Sequence, residues 1–390
     1  MGRFSRDGGW VRQLTVLSLG QLVGWGVLFY SPLVAIGAIA GDNNWAVGFA
    51  TALLSVSLTV AAVAGIGVGR LLDRFSPRWV MAIGAVVGAI GCVSLALSSG
   101  LLWFTMALVM VGVSQSALLY QAAFTVVTKT YRRRRQMALT VITIAGGLSS
   151  TIFAPLVVWL LRLLGWREVF VLFGGLMVLL AVVLWWGLKI PPHSSGAVVL
   201  PEESVGVVAA LRQPRFWWLE LAMLVTTVAI FSATFLAIPI GMEKGLNDVQ
   251  SAWVFAAIGF GQVFGRIAFL AVDIFRYPRA VLAGFSLSAG VGVGVFALAP
   301  GVMWWLVTVG VVVGALRGVH TLIQASAVSS RWGSKHYGSI NGFFQAPLSI
   351  GLALSPAVGS IVATGMGSFS AMAVVMGVVL LVCAPLARLT

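Results

Sequence analysis

The sequence predicts an all-α membrane protein, with twelve transmembrane helices in two pseudo-symmetric six-helix halves. Three observations predict it. Hydrophobic residues make up 60% of the 390 and charged residues only 9%, whereas a soluble domain carries about 25% charged residues. Twelve predominantly apolar runs approach or exceed the roughly 20 residues that a spanning helix needs. Landmarks in the first half recur in order in the second.

The runs follow one another with short connections. Run 1, 13–40, comes after Arg3, Arg6 and Arg12 and ends in Ala38-Ile39-Ala40-Gly41, which resembles a signal-peptidase site. A signal h-region is only about 7 to 15 residues long, so this longer run is read as a retained helix. Run 2, 46–72, closes on Asp73 and Arg74, and run 3, 78–98, opens behind Ser76 and Pro77, which suit an N-cap and first turn. Run 4, 101–126, leads into Lys129 and the string Arg132 to Arg135. Runs 5 and 6 span 137–161 and 167–188. The longest polar stretch, Lys189 to Arg215, then reads as a cytoplasmic linker in which Pro201 to Leu211 form a short interfacial helix. Runs 7 to 12 span 216–241, 249–272, 279–299, 302–328, 338–363 and 368–387. The expected organisation is therefore 1–188 as the N-terminal half, 189–215 as linker and 216–390 as the C-terminal half.

Net charge of +14 would point to nucleic acid in a soluble protein. Here the basic residues mark orientation instead. Alternate connections hold Arg70, Arg74 and Arg78, then Lys129 with the arginine string, Lys189, Arg212 and Arg215, Arg276 and Arg279, and Arg331 and Lys335. The opposite connections hold only Arg162, Arg167 and Lys244. By the positive-inside rule the chain lies in the cytoplasmic membrane with both termini in the cytoplasm. Cys92 and Cys383 fall in separate apolar runs with no Cys/His cluster, so no disulfide, metal or cofactor is expected.

The internal repeat has an offset of about 200 residues, as expected of a transporter built from repeated units. Gly65 and Asp73 recur as Gly265 and Asp273, Pro77-Arg78 as Pro278-Arg279, Gln121-Ala122 as Gln324-Ala325, and Ala154-Pro155 as Ser355-Pro356. Between runs 2 and 3, Gly69 to Arg78 resembles the Gly-x-x-x-Asp-Arg-x-x-x-Arg signature of the major facilitator superfamily. That resemblance implies a gate in which Asp73 and its neighbours Arg74 and Arg78 form a breakable cytoplasmic charge cluster, with Gly69 permitting close helix approach and Asp273 as the second-half counterpart.

Within that superfamily the chain resembles the monocarboxylate porters and oxalate/formate antiporters over all twelve runs. The phrases that carry this are Gly24-Trp25-Gly26 with Phe29-Tyr30, Arg134-Arg135, Gly165-Trp166-Arg167-Glu168-Val169-Phe170, Phe216-Trp217 and Tyr337-Gly338-Ser339-Ile340-Asn341-Gly342. The resemblance implies a substrate-binding role for Arg266. Gln262, four residues earlier, stands where monocarboxylate porters carry an aspartate.

Arg317 and His320 lie inside run 10, which contains no acidic residue. Charge at bilayer depth is costly and marks a pathway, a partner or a bound counter-ion. Arg317, His320 and Gln324 are spaced i, i+3 and i+7 and so share one helix face. Other polar groups at comparable depth are Tyr30, Gln115, Tyr120, Gln121, Gln262, Asn341 and Gln345, and these complete the candidate substrate site. The superfamily resemblance implies that helices 1, 4, 7 and 10 line a central cavity. Helix carbonyls or Glu220 in run 7 are the alternative partners for Arg317.

The expected function is secondary active or facilitative transport of a small, monocarboxylate-like organic anion by alternating access. The alternative is a drug or hydrophobic-compound exporter of the same superfamily. Protons are a further candidate partner, with Glu220 and His320 as carriers, and the chain is expected to work as a monomer. An enzyme is not expected, because the three histidines, His193, His320 and His336, accompany neither a nucleophile nor a metal cluster.

Overall fold

A computed structural model describes residues 4–131, 134–188, 205–272 and 274–390. Asp273 and most of the expected linker, 189–204, lie outside the described residues. Every regular element among the described residues is helical. Twelve helical spans are long and apolar enough to cross a membrane: α1 Gly9–Val34, α2 Val47–Arg74, α3 Pro77–Ala96, α4 Leu101–Thr130, α5 Arg135–Leu163, α6 Trp166–Gly187, α7 Pro214–Phe235, α8 Asp248–Ala271, α9 Pro278–Leu298, α10 Met303–Trp332, α11 Tyr337–Met366 and α12 Phe369–Leu389. A short helix Val207–Leu211 precedes α7.

The chain forms two compact units. The first comprises Met1–Ser204 and Gly333–Ala346, and the second Val205–Trp332 and Pro347–Thr390. In the first unit, small residues let α3 approach α4, where the Ser114 hydroxyl donates to the Gly84 carbonyl at 2.7 Å. In the second, the Ser232 hydroxyl of α7 donates to the Ser355 carbonyl of α11 at 2.6 Å.

Two of the apolar runs stop earlier than hydropathy indicates. Run 1 is divided at Ala35, leaving Ile36–Asp42 as a separate helix, and run 7 is divided at Leu236, leaving Ala237–Glu243. A proline explains the second: Pro239 has no N–H to give to the Phe235 carbonyl beside the break, and apolar composition does not register that loss.

α1 and α4 repair each other's broken backbone. In α1, Gly26–Tyr30 is a π-helical turn, and Pro32 cannot donate to the Leu28 carbonyl four residues earlier. Gln115 of α4 does so instead, its Nε2 lying 2.8 Å from the Leu28 oxygen. α4 is interrupted at Leu119, which has extended ψ of −166°, so that Ala122 N–H bonds the Leu119 carbonyl rather than that of Leu118. Gln21 of α1 then donates to the Leu118 carbonyl at 2.6 Å. Irregular backbone at membrane depth survives only when such groups are satisfied.

A second repeat feature sits beyond the ends of α1 and α7. Asp42 accepts hydrogen bonds from Trp166 Nε1 at 3.1 Å and from Arg167, both at the start of α6. Glu243 accepts from the Ser368 hydroxyl and from the Phe369 and Ser370 N–H groups at the start of α12. Each acid ties the chain beyond its unit's first-run helix to the unit's last span.

Candidate substrate site and gate

In the second unit, α8 and α10 touch main chain to main chain. A Cβ on Gly265 would strike the Ala315 carbonyl, and one on Gly318 would strike the Gln262 carbonyl. Small residues four apart permit such contact in membrane helices. With Gly265 at Ala315 and Gln262 at Gly318, Arg317 and Arg266 lie within about one helical turn of each other in height. Arg266 is 3% exposed, and its Nη2 donates to Gln262 Oε1 at 3.3 Å. Gln262 therefore serves as the neutral acceptor of that arginine.

Arg317 is held by aromatic rings of α7. Its guanidinium carbon lies 4.3 Å from the Phe231 ring centre and 4.9 Å from that of Phe235. Rings stabilise a cation through their faces. Phe231 and Phe235 were not among the residues expected from sequence, although their i, i+4 spacing and their register with Thr227 placed all three on one face of α7. Glu220 does not pair with Arg317, contrary to one expectation. It is buried, and neither carboxylate oxygen has a hydrogen-bond partner.

His320 is fully buried between Phe231 and Phe285. The Thr227 hydroxyl proton is committed to the Met223 carbonyl at 2.6 Å, so in the 3.3 Å contact between Thr227 and His320 Nε2 the imidazole is the donor. Nδ1 is then the bare ring nitrogen, and it has no hydrogen-bond partner. Gln324 is half-buried one turn further along α10.

The remaining candidates lie in the first unit, and several are engaged with backbone. Gln115 holds the Leu28 carbonyl, Gln121 Nε2 donates to the Gly65 carbonyl at 2.6 Å, and the Tyr120 hydroxyl donates to the Thr143 carbonyl at 3.1 Å. Asn341 accepts from Gln345 at 3.4 Å. Tyr30 joins an aromatic cluster in which Trp25 lies 4.9 Å from Tyr120 and 5.1 Å from Phe29. The Trp25 indole N–H is buried there without an acceptor.

The gate expectation needs correction in its partners. Asp73 does not bond Arg74 or Arg78. It pairs with Lys129 Nζ at 2.7 Å and accepts from Gly338 N at 3.1 Å, Ser339 N at 2.7 Å and the Ser339 hydroxyl at 2.6 Å. It thereby caps the N-terminus of α11, where unpaired N–H groups and the helix dipole favour an anion. Gly69 sits directly against Gly338, and a Cβ on either residue would strike the carbonyl of the other. Arg78 stacks instead on Trp185, at 4.4 Å from its ring centre, and Arg70 lies over Phe343. Asp273 lies outside the described residues.

Comparison with known proteins agrees with this architecture. Residues 16–320 match the family model described as Major Facilitator Superfamily. The bovine protein named monocarboxylate transporter 13 is 23% identical over 272 residues, covering 67% of this chain and 61% of its own length. Human monocarboxylate transporter 11 is 25% identical over 311 residues, covering 75% of this chain and 63% of its own. This chain thus spans less than two thirds of the length of either. An uncharacterized 38 kDa protein of Thermoproteus tenax is 29% identical, with 87% and 84% covered. Among solved structures, the E. coli fucose:proton symporter has a TM-score of 0.73 at 17% identity, covering 96% of this chain and 97% of that one. The human organic anion transporter MFSD10 has a TM-score of 0.73 at 15% identity, covering 96% and 99%.

Proposed function

Because this chain belongs to the Major Facilitator Superfamily, and is therefore a multi-pass membrane transporter and not an enzyme, we propose that its substrate is a small organic anion of the monocarboxylate type. The observation that carries this reading is the Arg317 guanidinium, clamped by Phe231 and Phe235 at nearly the height of Arg266. Two cations held within membrane spans favour a carboxylate ligand, which takes paired hydrogen bonds from guanidinium. The names of the monocarboxylate transporter relatives point the same way and favour this reading over a drug exporter.

Transport then proceeds by alternating access with both termini in the cytoplasm, as the loop charges indicate. The Asp73 cap on α11 acts as a cytoplasmic latch that must release in each cycle. Protons are the coupling ion, and Glu220 is the favoured carrier. Its buried carboxylate has no donor to hold it in the charged form, and it lies seven residues before Thr227, the partner of His320. The chain operates as a monomer.

A thermal-shift screen of the purified protein tests the substrate class, since a ligand that binds the folded state raises stability by mass action. Small carboxylates such as lactate, pyruvate and benzoate should stabilise it, and lipophilic cations such as tetraphenylphosphonium should not. Stabilisation by the cations alone would reverse the reading.

A further inference from the structure

At one end of the second unit, a cavity of about 450 Å³ is walled by Arg215, Arg276, Arg279 and Arg331, with Ser330 and Thr390. These residues come from the same ends of four spans: the start of α7, the approach to α9 and its first turn, the end of α10 and the residue after α12. No Asp or Glu is among the described residues that line it. Arg331 is electrostatically opposed by Arg279 and Arg215. Like charges gathered this closely repel one another, and the Thr390 oxygens that accept from Arg279 and Arg331 offset only part of the charge of four guanidinium groups.

Neighbouring groups, Thr390 of the lining among them, hold the arginines in place. Arg215 Nε donates to Gln213 Oε1 at 2.6 Å, and its guanidinium lies 5.5 Å from the Trp332 ring centre. Arg279 Nε donates to the Thr390 main-chain oxygen at 2.5 Å, and Arg331 Nη2 to the Thr390 hydroxyl at 2.9 Å. Arg331 Nε is buried and has no hydrogen-bond partner. Pro278 opens α9 beside the cavity, with Ala280 in its lining, so first-turn N–H groups add to the positive field. Tyr277, Trp217 and Leu389 are exposed nearby in sequence, as befits the membrane–water boundary.

We propose that this four-arginine cavity is a binding site for a phosphate group, carried by an anionic phospholipid headgroup or present as free inorganic phosphate, and separate from the substrate arginines. Guanidinium forks match phosphate oxygens in pairs, and basic pockets at span ends are suited to headgroups.

Two arms of one experiment separate the sources. Delipidated protein is titrated with phosphatidylglycerol or phosphatidylcholine and followed by native mass spectrometry, and is heated in inorganic phosphate or in chloride at matched ionic strength. Preferential retention of phosphatidylglycerol assigns the site to lipid, and stabilisation by phosphate alone assigns it to the free ion. In either arm Arg279→Gln/Arg331→Gln should weaken binding about tenfold, equivalent to ~1.4 kcal/mol, whereas Arg134→Gln, which removes a charge from the first unit, should not. Should the double variant fail to fold, Arg279→Lys/Arg331→Lys keeps the charge, loses the forks and should still bind more weakly. Binding that does not distinguish phosphatidylglycerol from phosphatidylcholine or phosphate from chloride, or that is unchanged in the variant read, overturns the proposal.

Discussion

The Asp73 carboxylate accepts both the main-chain N–H and the hydroxyl of Ser339, at 2.7 and 2.6 Å, so a single acidic side chain caps a helix 266 residues away in sequence. Hydrogen bonds to a charged group contribute about 1.5–3 kcal/mol each, and a latch of that strength can hold one state while still releasing. Asp73→Asn should raise the accessibility of cysteines placed near the start of α11 and reduce transport, with the protein still folded. Ser339→Ala should produce a smaller change in the same direction. Site-directed labelling measures both, and unchanged labelling in Asp73→Asn would remove the latch.

The proline gap in α1 allows a rescue test. Gln115→Leu leaves the Leu28 carbonyl without a donor and should lower stability by about 1–3 kcal/mol. Pro32→Ala returns a main-chain N–H to that carbonyl. Gln115→Leu should therefore cost less in the Pro32→Ala background, as measured by thermal denaturation in detergent. Equal cost in both backgrounds would mean that Gln115 acts in some other way.

The tie from Asp42 to α6 should be sensitive to acid. The hydrogen bond from Arg167, then that from Trp166, holds the Asp42 carboxyl below its usual range. A depressed folded-state pKa contributes stability that is present above the ordinary carboxylate pKa and is lost as pH falls through the lowered value. Asp42→Asn should thus melt below the unmodified protein at neutral pH, and the difference should shrink in acid. A gap that stays constant with pH would contradict the assignment.

Coupling can be read from Glu220. In proteoliposomes, Glu220→Gln should abolish substrate-driven proton movement while leaving exchange of substrate for substrate. His320→Ala should disturb binding through Thr227 and Phe231 more than proton movement. If Glu220→Gln retains proton movement, the carrier lies elsewhere.

Much of the architecture is legible in the sequence. Segments such as 78–98 and 167–188 declare themselves by apolar length alone, and loop charge and the recurrence of Pro77-Arg78 as Pro278-Arg279 organise them. Helix ends are less legible where a single missing N–H decides them, as at Pro239. The site is legible in its charges but not in its partners. Arg317 is conspicuous in an apolar run, yet Phe231 and Phe235 look like any lipid-facing phenylalanine until α7 is set beside α10. Asp73 has three arginines within five residues in sequence, and proximity along the chain outweighed the remote N-terminus of α11. Asp42 and Glu243 hold equivalent places at nearly the repeat offset, but the groups they bind, at the starts of α6 and α12, differ.

The central claim, that Arg317 receives the carboxylate of an organic anion, is tested most directly by measuring the affinity of one stabilising carboxylate for the unmodified protein, Arg317→Lys and Arg317→Gln. Lysine retains the charge without the planar fork or its stacking between Phe231 and Phe235, so affinity should fall about tenfold, or ~1.4 kcal/mol. Glutamine should weaken binding further or eliminate it. Carboxylate affinity unchanged in Arg317→Gln would contradict the account.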